Sequence, residues 1–428
     1  MASVGDTVRV KTKTSAYEGI LMPRTELADE EHIVVKLSSG YNIGISKSEI
    51  TKIEKLGSAK KKEKTTVKFD KAKPPISLIS TGGTISAKVD YRTGGVFPLS
   101  SPEDLLKTVP ELGKYVKISK ISNPFNLLSE DMSPAEWVKI AKEAYNELKT
   151  DSQGVIVTHG TDTLHYTSAA ISFMIKNLNK PIAVVGAQRS ADRGSFDGAQ
   201  NILCAAHYCL SDIAEVAIVM HGKTDDDYCI ANRGTKVRKM HSSRRDAFRP
   251  INESALAKVY PDGNIILTNP NHNARSDAKP ELDAKFEEKI ALIYAYPGAN
   301  PEILNFYAEQ GYKGVVIAGT GFGHVVTQPL DKKYGWLNAI KKCVEKGIFI
   351  GITTQTLYGT TDPFVYSAGR LLHEAGCTYL KDMLPETAYV KLGWVLAHTQ
   401  KPEEVKNMML TNYAGEIAER IGPDTFLS

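Results

Sequence analysis

The sequence predicts an α/β protein: two domains with parallel sheets, preceded by a small all-β barrel. Three observations predict it. Residues 1 to 56 hold only short alternating segments broken by turns. A lysine-rich, proline-ended stretch follows. From Pro75 onward, apolar runs alternate with helical segments, the pattern of strands buried on both faces between helices.

In the first region Thr7-Val8-Arg9-Val10-Lys11 alternates polar and apolar, as a half-buried strand does. Tyr17 to Met22, His32 to Leu37 and Tyr41 to Ile45 read as further strands, with Ser38-Ser39-Gly40 as a turn. No helical period of useful length interrupts them, so residues 1–56 form an SH3-like module of a kind that more often docks than catalyses. Residues 57–73 are a basic linker, in which seven lysines stand against Glu63 and Asp70. The whole chain carries only +4, so the rest is close to neutral. A solvated linker is the ordinary use of such a run, and contact with a phosphate backbone is the alternative.

Beyond the linker, strands are expected at Ile76–Ser80, Val155–Thr158, Ile182–Val185 and Val216–Met220, then at Ile290–Tyr294, Gly314–Ile317 and Ile348–Ile352. Helices are expected at Pro134–Lys149, Thr163–Asn177, Pro301–Gln310, Trp336–Lys346 and Glu386–Ala397. The polar stretch from Asn269 to Glu288 reads as the connection between a larger domain, 74–275, and a smaller one, 288–428. A chain of 428 residues exceeds what one core usually organises. Its 42% hydrophobic and 24% charged content is that of an ordinary globular protein. No apolar run approaches the roughly 18–20 residues of a membrane span, and the N-terminus lacks the apolar core of a signal peptide. A cytoplasmic protein is expected. Five cysteines without a CxxC pair argue against a disulfide framework and against a zinc site. Asp225-Asp226-Asp227 lacks the glycine and distal glutamate of a calcium loop.

Five segments carry residue types suited to chemistry. The first predicted strand runs into Ser80-Thr81-Gly82-Gly83-Thr84-Ile85-Ser86, where two glycines permit a tight turn and close approach of a ligand. The spacings of phosphate-binding glycine loops are absent, which leaves a hydroxyl at a strand end, Thr84, as a candidate nucleophile. Lys88 to Gly95, with Tyr91 at its centre, reads as a lid with glycine hinges or as a plain surface loop. His159-Gly-Thr-Asp-Thr163 follows the second strand and opens a helix. Thr161 and Asp162 there are either helix caps or a hydroxyl and an orienting carboxylate. Thr235 to His241 is rich in lysine, and a lysine desolvated beside hydroxyls can serve as a base. Ser129-Glu130-Asp131 precedes the helix at Pro134 and is suited either to capping it or to holding the charged head of an amino acid.

Read together, STGGTIS around Thr84, HGTDT around Thr161 and Lys239-Met-His running to Asp246-Ala-Phe248 resemble the bacterial-type L-asparaginase family. Ser129-Glu-Asp-Met132 and Asp382-Met-Leu-Pro-Glu-Thr-Ala388 fit it too, and the resemblance covers roughly residues 74 to 428. It implies two Rossmann-like domains, with the active site at strand ends of the larger. It also implies attack of a threonine hydroxyl on a side-chain amide, releasing ammonia from an acyl-enzyme. Thr84 and Thr161 are the matching hydroxyls, and both stay candidates for the attacking group. Asp162 matches the orienter, Lys239 the base and Tyr91 the lid tyrosine. Gly83, Ser129, Glu130 and Asp162 match the substrate-binding set. Glu130 is a departure, because many free asparaginases carry glutamine there. A carboxylate at that point would repel an α-carboxylate and pair with an α-ammonium.

With its N-terminal module and basic linker, the chain is similar to the GatD family, the amidase chains of archaeal glutamyl-tRNA(Gln) amidotransferases. That similarity implies ammonia generation from glutamine or asparagine for a partner, GatE, in a D2E2 heterotetramer. It also implies a homodimer through the asparaginase domains, and contact with Glu-tRNA(Gln) by way of the partner. ATP and magnesium belong to the partner, and no cofactor is expected in this chain. The alternatives are a stand-alone cytoplasmic L-asparaginase with an accessory domain and a catalytically silent scaffold.

Overall fold

The computed structural model describes residues 2–22, 31–38, 42–57, 70–83, 85, 87–89, 96–98, 109–189 and 196–426. Strands β1 (Thr7–Thr12), β2 (Ala16–Leu21), β3 (His32–Leu37), β4 (Asn42–Ser46) and β5 (Ile50–Gly57) pair antiparallel in the order β4-β3-β2-β1-β5. Alternation decides which residues turn inward. Val8, Val10, Val35 and Ile45 form the buried cluster of this small barrel-like module.

The large domain is built on β6 (Pro75–Ser80), β7 (Lys117–Ser122), β8 (Val155–Thr158), β9 (Ile182–Val185) and β10 (Val216–His221). These five are parallel and lie in the order β7-β6-β8-β9-β10. In chain order that is 2-1-3-4-5, which places the topological switch between β6 and β8. Every residue of β8, β9 and β10 is buried, because helices cover both faces. Burying each large apolar side chain in these strands contributes about 1.5–3 kcal/mol.

Three strands extend this sheet differently from the all-parallel expectation. β11 (Cys229–Arg233), β14 (Ala257–Val259) and β15 (Ile265–Leu267) join β10 in antiparallel succession. Between them lies a separate hairpin of β12 (Val237–Lys239) and β13 (Phe248–Pro250). The smaller sheet is parallel throughout, in the order β16 (Ile290–Tyr294), β17 (Gly314–Gly319), β18 (Phe349–Thr354), β19 (Thr378–Tyr379).

Helix α1 (Pro134–Leu148) starts at a capping box, with the Ser133 N–H donating to the Glu136 carboxylate at 3.0 Å. Helix α2 (Leu164–Met174) is shorter than its apolar pattern suggests. Ile175 and Lys176 leave it to pair with Leu282 and Glu281 of the inter-domain segment. That segment is also pinned by Arg275, which donates to the carbonyls of Gln153, Cys209 and Ser211. Much of the segment is exposed, and these bonds tie it to the large domain. Helix α3 (Gly198–Leu210) lies against β9 and β10. In the smaller domain α4 (Glu302–Glu309), α5 (Leu337–Glu345) and α6 (Ser367–Glu374) precede α7 (Pro385–Leu396) and α8 (Pro402–Leu410). Helix α7 packs against α2 of the large domain: Trp394 stacks on Phe173 with centroids 6.0 Å apart, and Tyr389 meets Tyr166 edge-on. Among the described residues, no helix is long and apolar enough to cross a membrane.

Candidate active site

The carboxyl ends of β6 and β8 meet at the switch point, where an open α/β sheet leaves a crevice. Thr81 continues the pairing past β6, its N–H and hydroxyl both donating to the Thr158 carbonyl at 3.1 and 2.9 Å. Gly83 has φ +77°, and a Cβ there would lie 2.7 Å from the Gly160 nitrogen. Only glycine allows this conformation and this approach together. Gly186, just past β9, meets Thr161 in the same way, with a built Cβ 2.7 Å from the Thr161 methyl. Three strand ends therefore converge on His159-Gly160-Thr161.

Thr161 and Asp162 do not cap α2. The cap position is Thr163, and its hydroxyl donates instead to the Ser129 carbonyl at 2.7 Å. The Thr161 hydroxyl and the Asp162 carboxylate both face Lys239, whose Nζ donates to Thr161 Oγ1 at 2.9 Å and to Asp162 Oδ1 at 2.8 Å. The Lys239 side chain is only 10% exposed, whereas that of Asp162 is 65% exposed. The carboxylate thus opens to solvent while the amine lies behind it. As an ammonium Lys239 donates to both groups; as a free amine it can accept the Thr161 hydroxyl proton.

The hairpin explains the spacing of the lysine motif. Lys239 ends β12 opposite Phe248, and Met240 N–H closes the loop on the Ala247 carbonyl at 2.7 Å. Buried Asp246 receives Arg244 and Arg249, and the Arg244 guanidinium holds its carboxyl below the usual carboxylate range. Ser129 is buried in a 3-10 turn, and Ser133, not Ser129, begins α1. Its hydroxyl lies against Gly160 and donates to Glu130, itself exposed, at 3.3 Å. Ser129 and Glu130 therefore border the same strand ends as Thr161. Thr84 and Tyr91 lie outside the described residues. The loop carrying Tyr91 has paired arms, Ala87–Val89 antiparallel to Val96–Pro98.

His159 has no expected role in the sequence reading, yet it fixes the backbone beside Thr161. Its Nδ1–H donates to the Gly160 carbonyl at 2.6 Å, and its Nε2 accepts from the Thr167 hydroxyl at 2.8 Å. Both contacts suit the neutral ring, and burial pushes its pKa down to about 4. An unfolded histidine titrates near 6.5, so protons favour the unfolded chain between these values. Stability is expected to fall as pH drops from about 6.5 to about 4, by about 1.4 kcal/mol per pH unit from this residue. Urea denaturation across that range checks it. A slope unchanged in His159→Gln would refute the assignment.

Comparisons with known proteins cover nearly the whole chain. Residues 75–272 match the asparaginase N-terminal domain family and residues 289–409 the glutaminase/asparaginase C-terminal domain family. Residues 2–56 match the GatD N-terminal domain family. The GatD chain of the glutamyl-tRNA(Gln) amidotransferase of Pyrococcus abyssi is 48% identical over 433 residues, covering 99% of this chain and 97% of the relative. The chain belongs to the GatD family of glutamyl-tRNA(Gln) amidotransferases. GatD chains from Methanopyrus kandleri and Methanobrevibacter smithii are 44% and 41% identical, over 97% and 100% of this chain and 92% and 96% of their own lengths. The thermostable L-asparaginase of Thermococcus kodakarensis superposes with a TM-score of 0.69 at 29% identity. It covers 81% of this GatD-family chain and 100% of its own.

Sequence reasoning also missed Gly160 and Gly186 as shaping residues, and Arg238 beside the lysine. Strand-end glycines that follow apolar runs were the available signal for the first two. Arg238 had none, since its partner lies in the other domain.

Proposed function

We propose that this chain is the ammonia-generating amidase of a tRNA-dependent amidotransferase. The observation that carries the reading is Lys239 bridging Thr161 and Asp162 at the switch point of an asparaginase-type domain. In this reading a threonine hydroxyl, Thr84 or Thr161, attacks the side-chain amide carbon of glutamine or asparagine. Lys239 takes the proton from Thr161, and Tyr91 on the lid loop assists. The C–N bond breaks, the nitrogen leaves as ammonia after gaining a proton, and water then releases the acid from the acyl-threonine. Gly83, Ser129, Glu130 and Asp162 border the head group of the amino acid. Glu130 and Asp162 together favour its α-ammonium through opposite charge.

The ammonia passes to a partner, GatE, in a D2E2 heterotetramer whose two GatD copies dimerise through their asparaginase domains. The partner binds Glu-tRNA(Gln) and supplies ATP and magnesium for activation, while this chain needs no cofactor of its own. The setting is the cytoplasm. The test is formation of Gln-tRNA(Gln) from Glu-tRNA(Gln), glutamine and ATP by the co-purified pair. Product that depends on both chains is expected. Rapid amide hydrolysis by the isolated chain, with no tRNA product from the pair, would instead establish a stand-alone asparaginase.

A further inference from the structure

Strand β12 and the residue pair before it carry Lys239, and the side chains along this stretch alternate. Lys239 turns toward Thr161 and Asp162. The residues that turn the other way, Lys236 and Arg238, are both met by carboxylates of the smaller domain. Buried Lys236 pairs with buried Asp382, and Arg238 pairs with Glu386 at 3.0 Å. Two basic residues spaced by the strand period thus meet two acidic residues four apart at the start of α7. The grip is extended at Thr235, whose carbonyl accepts from the Thr387 hydroxyl at 2.9 Å and whose own hydroxyl donates to the Ala414 carbonyl at 2.8 Å. Asp382 is held in turn, accepting the Ala418 N–H at 3.0 Å. Glu386 is 4% exposed, and Tyr294 lies 3.5 Å from the carboxylate oxygen that Arg238 binds. Its second oxygen has no hydrogen-bond partner among the described residues.

We infer that Arg238 and Glu386 are positioning residues: their ion pair across the domain boundary holds the lysine strand in the register that places Lys239 on Thr161. The physical reason lies in the shortness of β12. A three-residue strand laddered to the equally short β13 has few backbone bonds to resist sliding. The alternating ion pairs supply what the ladder lacks. An ion pair largely removed from water keeps most of its strength, because its competitors are excluded. Through this ion pair the smaller domain contributes to catalysis from behind the strand that carries Lys239. Its helix α7 sets the position of the base in the larger domain.

The inference rests on the amidase reading only for its kinetic readout, so the test has a structural one as well. Arg238→Met keeps the side-chain stem and removes the charge. Its crystal structure is expected to show Lys239 Nζ beyond hydrogen-bond distance of Thr161 Oγ1. In ammonia-release assays kcat is expected to fall about 10²-fold while KM stays within about threefold, since a base misplaced by about 1 Å loses rate rather than binding. Arg238→Lys retains the ion pair and is expected to restore most of the rate. If Arg238→Met does not fold, the neutral pair Arg238→Met with Glu386→Gln removes the tether without stranding a buried charge and carries the same two measurements. A purely structural pair predicts that this double variant melts earlier yet turns over normally. Lys239 still on Thr161 in the folded variants, or unchanged kcat beside an active wild type, would overturn the inference. A wild type unable to release ammonia, with Lys239 displaced in the variants, would refute the amidase reading and leave the positioning intact.

Discussion

Thr161→Val is expected to lower kcat for ammonia release about 10³- to 10⁴-fold, the loss typical of removing a group that acts with a general base. Valine nearly keeps the volume of threonine and retains a methyl against Gly186, so the close packing there survives. Only the oxygen that Lys239 contacts at 2.9 Å disappears. Lys239 keeps its 2.8 Å bond to Asp162, so the lysine stays near its place without its hydroxyl partner. Steady-state kinetics on glutamine and asparagine, with melting curves as the control for folding, make the measurement. Adding Lys239→Met should cost little more, because groups acting as a unit fail together. A variant within tenfold of wild type would return Thr161 to a structural role.

Lys391→Met is expected to destabilise the protein by about 3–5 kcal/mol, the cost of leaving a buried charge without its partner. Lys391 and Glu416 are both fully buried and lie 2.6 Å apart. Lys391 also donates to the carbonyls of Met409 and Thr411, while Glu416 accepts the N–H groups of Tyr413 and Ala414. The pair therefore knots the segment after α8 against α7. Burial pushes the Lys391 pKa down, opposed by the attraction of Glu416. Urea titration at neutral pH measures the loss. Pairing the change with Glu416→Gln should recover much of it, since the stranded charge goes with it. The consequence reaches the site, because Ala414 in this knot holds Thr235 on the lysine strand. A loss below about 1 kcal/mol would show that the pair is dispensable.

How much of this was legible beforehand differs from element to element. Strands β8 and β9 begin and end where the apolar runs Val155–Thr158 and Ile182–Val185 do, since burial on both faces requires an unbroken apolar segment. The antiparallel strands β11, β14 and β15 were missed. β14 and β15 are three residues long, and the antiparallel pairing of all three depends on neighbours more than on local pattern. The early end of α2 was invisible for the same reason. Ile175 fits the helical period and leaves it only because Leu282, more than a hundred residues later, offers a strand partner.

The site divides in the same way. HGTDT and the lysine motif stand out as short strings because they gather hydroxyl, carboxylate and amine side chains at strand ends. The strings do not say whether Thr161 caps a helix. That answer came from Thr163 occupying the cap position and from Lys239 reaching across a sequence separation of 78 residues. By itself the sequence determined the fold class and the chemical types at the strand ends, since periodicity and side-chain chemistry are local properties. Only the tertiary structure decided that Thr161 and Asp162 face a lysine. The same holds for the glycines that let three strand ends converge, and for the smaller domain's grip on the strand that carries Lys239. Each of these depends on contacts between residues far apart in the chain, which no local pattern encodes.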